Sequence, residues 1–473
     1  MAVLHSGLSR GERFDQWRRI RDGAQPIAVG ARSAVFAPFE NPGLIVIDEE
    51  HDGAYKSEEG FRYHARDIAQ LRARTERCPV VLGSATPDVG TTYRAERGEI
   101  ERLVLPERVA SRPLPKVEIV DLGAQPRGRG RPGMLSRPLR QALAETLAAG
   151  QQAILLLNRR GFATRVFCFA CGHALMCKHC DITLVYHASG GTRRPDEPDE
   201  GELRCHYCGY TEEPRSTCPA CHSQDGALLG FGTERLQEQV SAMFPAARVA
   251  RLDRDTSARK GAQRSILAAF HRGESDVLVG TQMVAKGHDI PNVTLVGVVA
   301  ADLGLHFPDY RAGERTFQLL TQVAGRAGRG DDPGRVVIQT FLPDHYAIAL
   351  AQTHDYPSFY REELARRHPH GYPPYRSLLQ VALSAVDEAV VQKAAEDLAR
   401  VPERMLGPTG DEAVEVLGPA PAPIPRVRDR FRWQLLLLGP PEQLRFAGRE
   451  IARRARSHRG VKLRLVANPV SML

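Results

Sequence analysis

The sequence predicts an α/β protein: two lobes built on parallel sheets, a cysteine-rich insertion in the second lobe, and a small α+β domain toward the C-terminal end. Three observations predict it. Short apolar runs without alternation recur between helical stretches, as in parallel strands covered on both faces. The cysteines gather as four C-x2-C pairs between Cys168 and Cys221. The strand and helix pattern then resumes near Gly230, so the cysteines interrupt a lobe rather than follow it.

The 473 residues suit about three domains, each with its own core. Nothing resembles a signal peptide or a spanning helix, since the longest apolar runs, such as residues 293–301, are strand-length. A cytoplasmic protein with no membrane partner is expected, and reduced, metal-binding cysteines agree with that compartment. The formal net charge of +8, mostly arginine, favours a polyanionic partner because each neutralised phosphate releases condensed counterions. Diffuse charge of this kind also follows from arginine-rich composition alone.

Residues 1–105 read as a first lobe, with strands expected at 26–30, 44–48 and 79–85. In an open parallel sheet the carboxyl ends of the strands line the ligand crevice. The second of these strands ends in Asp48-Glu49-Glu50-His51, the form of a Walker B element. In such an element Asp48 would hold Mg2+ on a nucleotide and Glu49 would orient or activate the attacking water. An acidic cluster after a strand is otherwise a solvated turn; Gly83-Ser84-Ala85-Thr86 at the end of another strand sharpens the reading. Between them lie Tyr55-Lys56 and Phe61-Arg62-Tyr63-His64-Ala65-Arg66-Asp67. Rings interleaved with cations stack on unpaired bases while the cations meet phosphates; the alternative is a helix packing its aromatics on the sheet.

Residues 106–135, with Arg127-Gly128-Arg129-Gly130-Arg131-Pro132-Gly133, cannot bury enough apolar surface to order themselves and read as a linker. The second lobe spans 136–345. Ser136 is the expected N-cap of a helix that Gly150 stops, and strands are expected at 152–158, 248–252, 277–280, 293–300 and 336–341. Residues 167–224 form the insertion. A C-x2-C pair offers two thiolates from one tight turn, and two pairs complete the tetrahedral S4 set of a structural zinc site. Cys168/Cys171, Cys177/Cys180, Cys205/Cys208 and Cys218/Cys221 therefore read as two Zn2+ per chain. Disulfides would need an oxidising compartment, and a redox motif would need only one pair. His173, His179, His206 and His222 lie nearby, but eight cysteines already fill both sites. The ninth, Cys78, reads as a small core residue before a strand.

Gln322-Val323-Ala324-Gly325-Arg326-Ala327-Gly328-Arg329 closes a helix before the last strand of this lobe. Arg326 and Arg329, three apart, would share a helix face and point at one phosphate group. Residues 346–473 read as the α+β domain, with His370-Gly371-Tyr372-Pro373-Pro374-Tyr375 ending a helix. The stretch Arg426-Val427-Arg428-Asp429-Arg430-Phe431-Arg432-Trp433 either touches nucleic acid or guards a strand edge.

Together these residues resemble the PriA family of replication-restart helicases, also called primosomal protein N′, in helicase superfamily 2. The resemblance rests on Asp48-Glu49-Glu50-His51, Gly83-Ser84-Ala85-Thr86-Pro87, Leu157-Asn158-Arg159-Arg160-Gly161-Phe162, Gly280-Thr281-Gln282-Met283 with Lys286-Gly287-His288, the Gln322 to Arg329 stretch and the eight cysteines. It implies two RecA-like helicase lobes, the first incomplete. It further implies a 3′-to-5′ ATP-dependent DNA helicase that binds stalled forks and D-loops, contacts single-strand-binding protein and helps reload the replicative helicase. Asp48, Glu49, Gln322, Arg326 and Arg329 would be the catalytic set, and Tyr55, Lys56, Phe61, Arg62 and Tyr63 would lie on the loop that couples DNA contact to hydrolysis. It also implies nested zinc pairing, Cys168, Cys171, Cys218 and Cys221 on one ion and Cys177, Cys180, Cys205 and Cys208 on the other. The short gap between Cys171 and Cys177 agrees, since consecutive pairs sharing a metal would need a cramped turn.

Three departures stand out. The polar loop 190–202 looks inserted and reads as a disordered hairpin tip. Asn468 stands where the family commonly has aspartate. No G-x4-G-K-[ST] occurs in the sequence, so the backbone N–H cradle, the lysine and the Mg2+-binding hydroxyl of a P-loop are not supplied. As it stands the chain is expected not to hydrolyse ATP. It reads either as a portion of a longer helicase, or as a shortened, non-catalytic DNA-binding and partner-docking platform. Because a P-loop strand is normally interior, its neighbours would keep unpaired backbone groups. A zinc-ribbon transcription or repair factor would fit the cysteines and the charge but leaves both α/β lobes without a purpose.

Overall fold

The computed structural model describes residues 1–5, 7–57, 60–106, 114–125, 134–157, 168, 171, 173, 175–178, 184–188, 201–204, 210–213, 217–223, 233–253, 256–257, 261–285, 290, 292–328, 332–427 except 407–412, and 429–472. The chain divides into two compact units, residues 1–102 with 466–470, and residues 103–465 with 471–473.

In the first unit β1 (Ala2–Leu4) leads through α1 (Arg10–Arg21) to β2 (Ala28–Gly30), its parallel partner. Ser9 starts α1 with a reciprocal cap: its hydroxyl accepts from Glu12 N at 3.2 Å while its own N–H donates to the Glu12 carboxylate at 2.7 Å. β3 (Ile45–Ile47), α2 (Ala65–Glu76) and β4 (Val80–Leu82) form a second parallel pair with its crossover, followed by α3 (Val89–Glu96). The strands fall where the apolar runs place them, but burial on both faces is not met. Val29, Val46 and Val81 are 52%, 60% and 45% exposed, because the two strand pairs stand as separate sheets and the described residues put no layer over that face. Cys78 is half-buried rather than core.

The second unit opens with a correction to the linker. Residues 116–121 of the expected 106–135 spacer form β5 (Lys116–Asp121), the edge strand of a six-stranded parallel sheet. Its register, Lys116↔Arg335 through Asp121↔Thr340, joins it to a strand more than 200 residues later. Only a distant partner could reveal it as a strand. The glycine-arginine run 127–133 lies outside the described residues. α4 (Arg137–Ala148) begins on Ser136, whose hydroxyl accepts from Leu139 N. Leu139, Ala142, Leu143 and Thr146 recur on its buried face. β6 (Gln152–Leu156) is central, and the cysteine region follows with the antiparallel β7 (Val185–Ala188), β8 (Gly201–Arg204) and β9 (Thr211–Glu212). Gly201 and Glu202, expected in a disordered tip, are strand residues; residues 190–200 lie outside the described set.

Four further elements complete one side of the sheet: α5 (Thr233–Met243), β10 (Val249–Leu252), α6 (Ala262–His271) and β11 (Val277–Gly280). Then come β12 (Val293–Val298), α7 (Ala312–Ala324) and β13 (Arg335–Thr340), giving the order β10-β11-β6-β12-β13-β5. Leu139, Leu143, Leu155, Leu236, Val279 and Val337 meet in one core, and full burial of each such side chain contributes about 1.5–3 kcal/mol. Gly297 in β12 packs closely under α4: a Cβ there would lie 2.7 Å from methyls of Leu139 and Leu155, whose side chains would have to shift. Buried Gln339 in β13 binds the end of the expected linker, donating to Met134 O and Val299 O and accepting from Ser136 N.

α8 (Tyr346–Gln352) and α9 (Tyr356–Arg367) were expected in the C-terminal domain but pack on α7, where Phe317 stacks on Phe359 at 4.2 Å. Arg367 at the end of α9 is buried between two carboxylates, donating to Glu314 of α7 at 2.8 Å and to Glu363 at 2.6 Å. Its Nη1 donates to Pro373 O at 3.0 Å, and the Tyr310 ring lies 5.1 Å away. Tyr346 donates to the other Glu363 oxygen at 2.6 Å.

The α+β domain follows: β14 (Ser377–Ala385), α10 (Glu388–Leu406), β15 (Glu415–Val427), β16 (Arg430–Gly439), α11 (Pro441–Ala455) and β17 (Lys462–Ala467). Sheet order is β15-β16-β14-β17, with α10 and α11 on one face over alternating Leu379, Val381, Leu383 and Ala385. Asp397 of α10 accepts from Arg454 at 2.8 Å and pairs with His458 at 2.9 Å, which holds its carboxyl down to about 2. In the basic stretch, Arg426 pairs with Asp429 at 3.0 Å across the β15–β16 turn, and Trp433 packs toward the helices. Among the described residues no helix is long and apolar enough to cross a membrane.

Candidate zinc, nucleotide and nucleic-acid sites

The acidic cluster begins one residue after β3. Glu50 N donates to Gly83 O and Gly83 N to Ile47 O, so the turn after β3 and the turn after β4 are held together. Across them His51 Nδ1 and Ser84 Oγ share a 2.7 Å hydrogen bond. Asp48 is exposed and accepts from Glu49 N; Glu49 has φ 47°, left-handed backbone that an L residue adopts only when the surroundings impose it. Glu50 points inward. It is 1% exposed and accepts from Arg66 Nη1 at 2.6 Å, Thr91 Oγ1 at 3.0 Å and Asp88 N at 2.7 Å. The adjacent Asp88 and Glu50 charges raise Arg66 above its ordinary pKa against the cost of burial, so the guanidinium stays charged. This Arg66–Glu50 contact ties the helix after the aromatic stretch to the acidic turn.

The aromatic stretch divides by role. Tyr55 lies half-buried, donates to Asp48 O at 2.7 Å, and has its hydroxyl pKa raised by burial and by Asp48. Lys56 Nζ donates to Ala467 O at 2.8 Å. Those two expected nucleic-acid residues therefore brace the acidic turn and the chain's tail. Phe61 and Arg62 are exposed, and Phe61 stacks on Tyr63 at 5.7 Å. Arg66, in the same stretch, is the buried partner of Glu50.

In the cysteine region Cys168, Cys171, Cys218 and Cys221 converge, their sulfurs all within 4.8 Å of one another. The Cys168–Cys221 and Cys171–Cys218 separations are 3.6 and 3.7 Å. Four sulfurs about 2.3 Å from a central Zn2+ in a tetrahedron stand about 3.8 Å apart, so the two measured separations suit the ion. Ala220 N donates to Cys218 Sγ at 3.4 Å, a hydrogen bond from the Ser223 backbone brings Cys221 down to about 7, and burial pushes the Cys171 thiol up. This quartet is the outer set of the nested pairing. Of the inner set, Cys177 is buried, while Cys180, Cys205 and Cys208 lie outside the described residues.

In the second lobe Gln322 is in the last turn of α7, but the helix stops at Ala324 with Gly325 as its C-cap. Arg326 thus lies in a turn beyond the helix, and the shared helix face expected for Arg326 and Arg329 does not form there. The turn is fixed by Gly328 N, which donates to Val293 O at 3.1 Å. Gly328 has φ 68°, and a Cβ on it would lie 2.4 Å from Gly334 N. Arg326 lines a small pocket with Ile154, Leu267, Leu278, Val284, Ile290 and Val293. Arg329, the Asn158-Arg159-Arg160-Gly161-Phe162 stretch and Lys286-Gly287-His288 lie outside the described residues.

Three family descriptions match the chain: the primosomal protein N C-terminal domain over residues 368–470, the helicase conserved C-terminal domain over 222–331, and the PriA DNA helicase Cys-rich region over 177–194 and 199–212. The replication restart protein PriA of Bacillus subtilis is 48% identical over 437 residues, 92% of this chain and 52% of that protein. The Synechocystis protein of the same name is 47% identical, over 93% of this chain and 52% of that protein. PriA of Treponema pallidum is 41% identical over all 473 residues and 69% of its own length. The chain belongs to the PriA family of replication restart proteins. It spans about half the length of the first two relatives.

The PriA assignment carries the fold class with it: a RecA-like parallel sheet in the second lobe, a cysteine-rich zinc region within it, and an α+β C-terminal domain. The PriA-type C-terminal domain begins at 368, which agrees with α8 and α9 belonging to the preceding lobe. Sequence reasoning missed three features. Glu50 and Arg66 form the buried link between the acidic and aromatic stretches, Arg367 is a buried keystone, and Phe36 joins the aromatic group, its ring 4.9 Å from Tyr63. Charged residues that pair across distant elements carry no local signal. Phe36 follows a strand rich in small residues and offers no periodicity of its own.

Proposed function

We propose that the chain serves replication restart, as part of a 3′-to-5′ ATP-dependent DNA helicase that binds stalled forks and D-loops and helps reload the replicative helicase. The observation that supports it is the pair of braces, Arg66 to Glu50 and Tyr55 to Asp48 O, joining an exposed aromatic loop to a Walker B-like turn. In this reading Phe61, Arg62 and Tyr63 meet the single strand, with Tyr55 and Lys56 fixing the loop's base. A bound Mg2+–nucleotide supplies the phosphoryl group that water attacks. Asp48 would hold the cation and Glu49 would orient the water, and Gln322, Arg326 and Arg329 would be the second lobe's catalytic residues. Hydrolysis also needs a phosphate cradle of G-x4-G-K-[ST] form, which these 473 residues do not contain. DNA contact is therefore the part of the activity to test on this chain.

The zinc reading is two structural ions, Cys168, Cys171, Cys218 and Cys221 on one and Cys177, Cys180, Cys205 and Cys208 on the other. Closed S4 sites leave no position for water, so the ions would shape a surface for DNA or partners rather than do chemistry. Single-strand-binding protein and helicase-loading proteins are the proposed partners, in the cytoplasm.

The test is a titration of the purified chain into labelled single-stranded DNA at several salt concentrations. Binding should weaken by orders of magnitude as salt rises, because several phosphates are neutralised, and Arg62→Ala should lower the slope by about one unit. Binding indifferent to salt would contradict the reading.

A further inference from the structure

We propose that Phe36, outside the aromatic stretch, is the third ring of a base-stacking platform it forms with Phe61 and Tyr63, and that the platform takes unpaired bases. This rests on the nucleic-acid reading above and extends it to a residue on a different element. Phe36 ends the 3-10 turn Arg32–Phe36 that follows β2. Its ring meets Tyr63 edge-on at 4.9 Å and Phe61 at 6.4 Å, while Phe61 stacks on Tyr63 at 5.7 Å. Aromatic groups this close prefer tilted or offset geometry, so the three rings hold one another.

The group is not core. Phe36 and Phe61 are 43% and 72% exposed, so two large rings present faces to solvent where closing the cluster would have buried them. Both halves of the platform are nevertheless fixed. On one side Arg72 Nη1 donates to Val35 O and to Ala37 O at 3.0 Å, the carbonyls flanking Phe36, and Glu76 steadies Arg72 at 2.9 Å. On the other, Arg32 Nη1 donates to Lys56 O at 2.8 Å, Ser57 N donates to Tyr63 O at 2.7 Å, and Lys56 and His64 form an antiparallel backbone bridge. The loop carrying Phe61 is therefore closed at its base and joined to the turn carrying Phe36. A backbone held on both sides before binding loses less freedom on contact, which favours stacking on a flexible strand.

Charge chooses the occupant. Arg62, which is exposed, stands in sequence between Phe61 and Tyr63, and the chain carries a formal +8. Open rings beside a cation suit bases on a phosphate backbone; an apolar peptide would leave that cation desolvated.

The experiment compares binding of the full chain to a fluorescent single-stranded oligothymidylate and to the same oligomer made of abasic sites. Wild type should prefer the base-bearing strand. Phe36→Ala should bind that strand about ten-fold more weakly, about 1.4 kcal/mol, and leave abasic binding unchanged. Phe36→Trp should restore the preference, while Phe36→Leu, which keeps apolar bulk and guards against misfolding, should not. If Phe36→Ala and Phe36→Leu both retain wild-type preference, or weaken both strands equally, the platform role of Phe36 is overturned while the nucleic-acid reading survives. If wild type binds neither strand, both are overturned.

Discussion

If the proposed pairing holds, Cys218→Ser is expected to cost the chain the zinc ion of the outer quartet and to unfold the cysteine region without unfolding the lobes. The four outer sulfurs lie within 4.8 Å of one another, two of the separations at 3.6 and 3.7 Å, and Cys218 is buried with its sulfur accepting from Ala220 N. Apparent binding energies of structural zinc run to about 10–16 kcal/mol near neutral pH. A zinc-binding module of this size depends on that term for its fold. Removing one thiolate leaves three ligands and an open position, so retained metal would be exchangeable. Metal analysis should show the zinc-to-protein ratio falling by one, with protease cleavage appearing between residues 168 and 221. Cys78→Ser, which touches no cluster, should retain both ions. An unchanged ratio in Cys218→Ser would show that these cysteines do not share a metal.

Arg367→Met should destabilise the second unit by about 3–5 kcal/mol, the cost of leaving buried carboxylates without their counter-ion. Glu314, Glu363 and Arg367 are each 3% exposed or less, and the guanidinium answers both carboxylates, Pro373 O and the Tyr310 ring. Burial, with Glu314 alongside, already raises the Glu363 pKa even though Arg367 opposes the shift. Without Arg367 that pKa rises further, and a carboxyl whose folded pKa lies above its unfolded value costs stability at pH above both. The penalty therefore grows as pH rises above the unfolded value toward the folded one, and shrinks in acid as the group takes a proton. Urea unfolding followed by circular dichroism should show the midpoint of the second unit shifting down at pH 7.5 and less at pH 5.5. A loss below about 1 kcal/mol at neutral pH would mean that the carboxylates reach water or another cation.

These two sites also mark how far the sequence reaches. Short-range features were legible. Ser136 caps α4 as its position before an apolar periodic run foretells, Gly150 stops it with φ 71°, and the acidic turn follows an apolar strand as a Walker B element should. The outer cysteine quartet was legible through resemblance and spacing together. Features made by distant pairing were not. β5 sits among proline and arginine and gains its identity only by bonding to β13 in the register Lys116↔Arg335. Arg367 reads as one more arginine near a helix end until Glu314, 53 positions earlier, is seen against it. Tyr55 and Lys56 looked like nucleic-acid residues because rings and cations alternate there, yet their polar atoms meet Asp48 O and Ala467 O. Composition shows which groups a stretch carries but not which way they turn.

The most direct test of the account is an equilibrium titration of the purified chain against a forked DNA with an unpaired arm and against a blunt duplex of the same length, at one salt concentration. Phosphate contacts are shared by both, whereas rings can stack only on the unpaired arm. The account predicts binding to the fork about ten-fold or more tighter than to the duplex. Equal affinity for fork and duplex, or no binding to either, would contradict it.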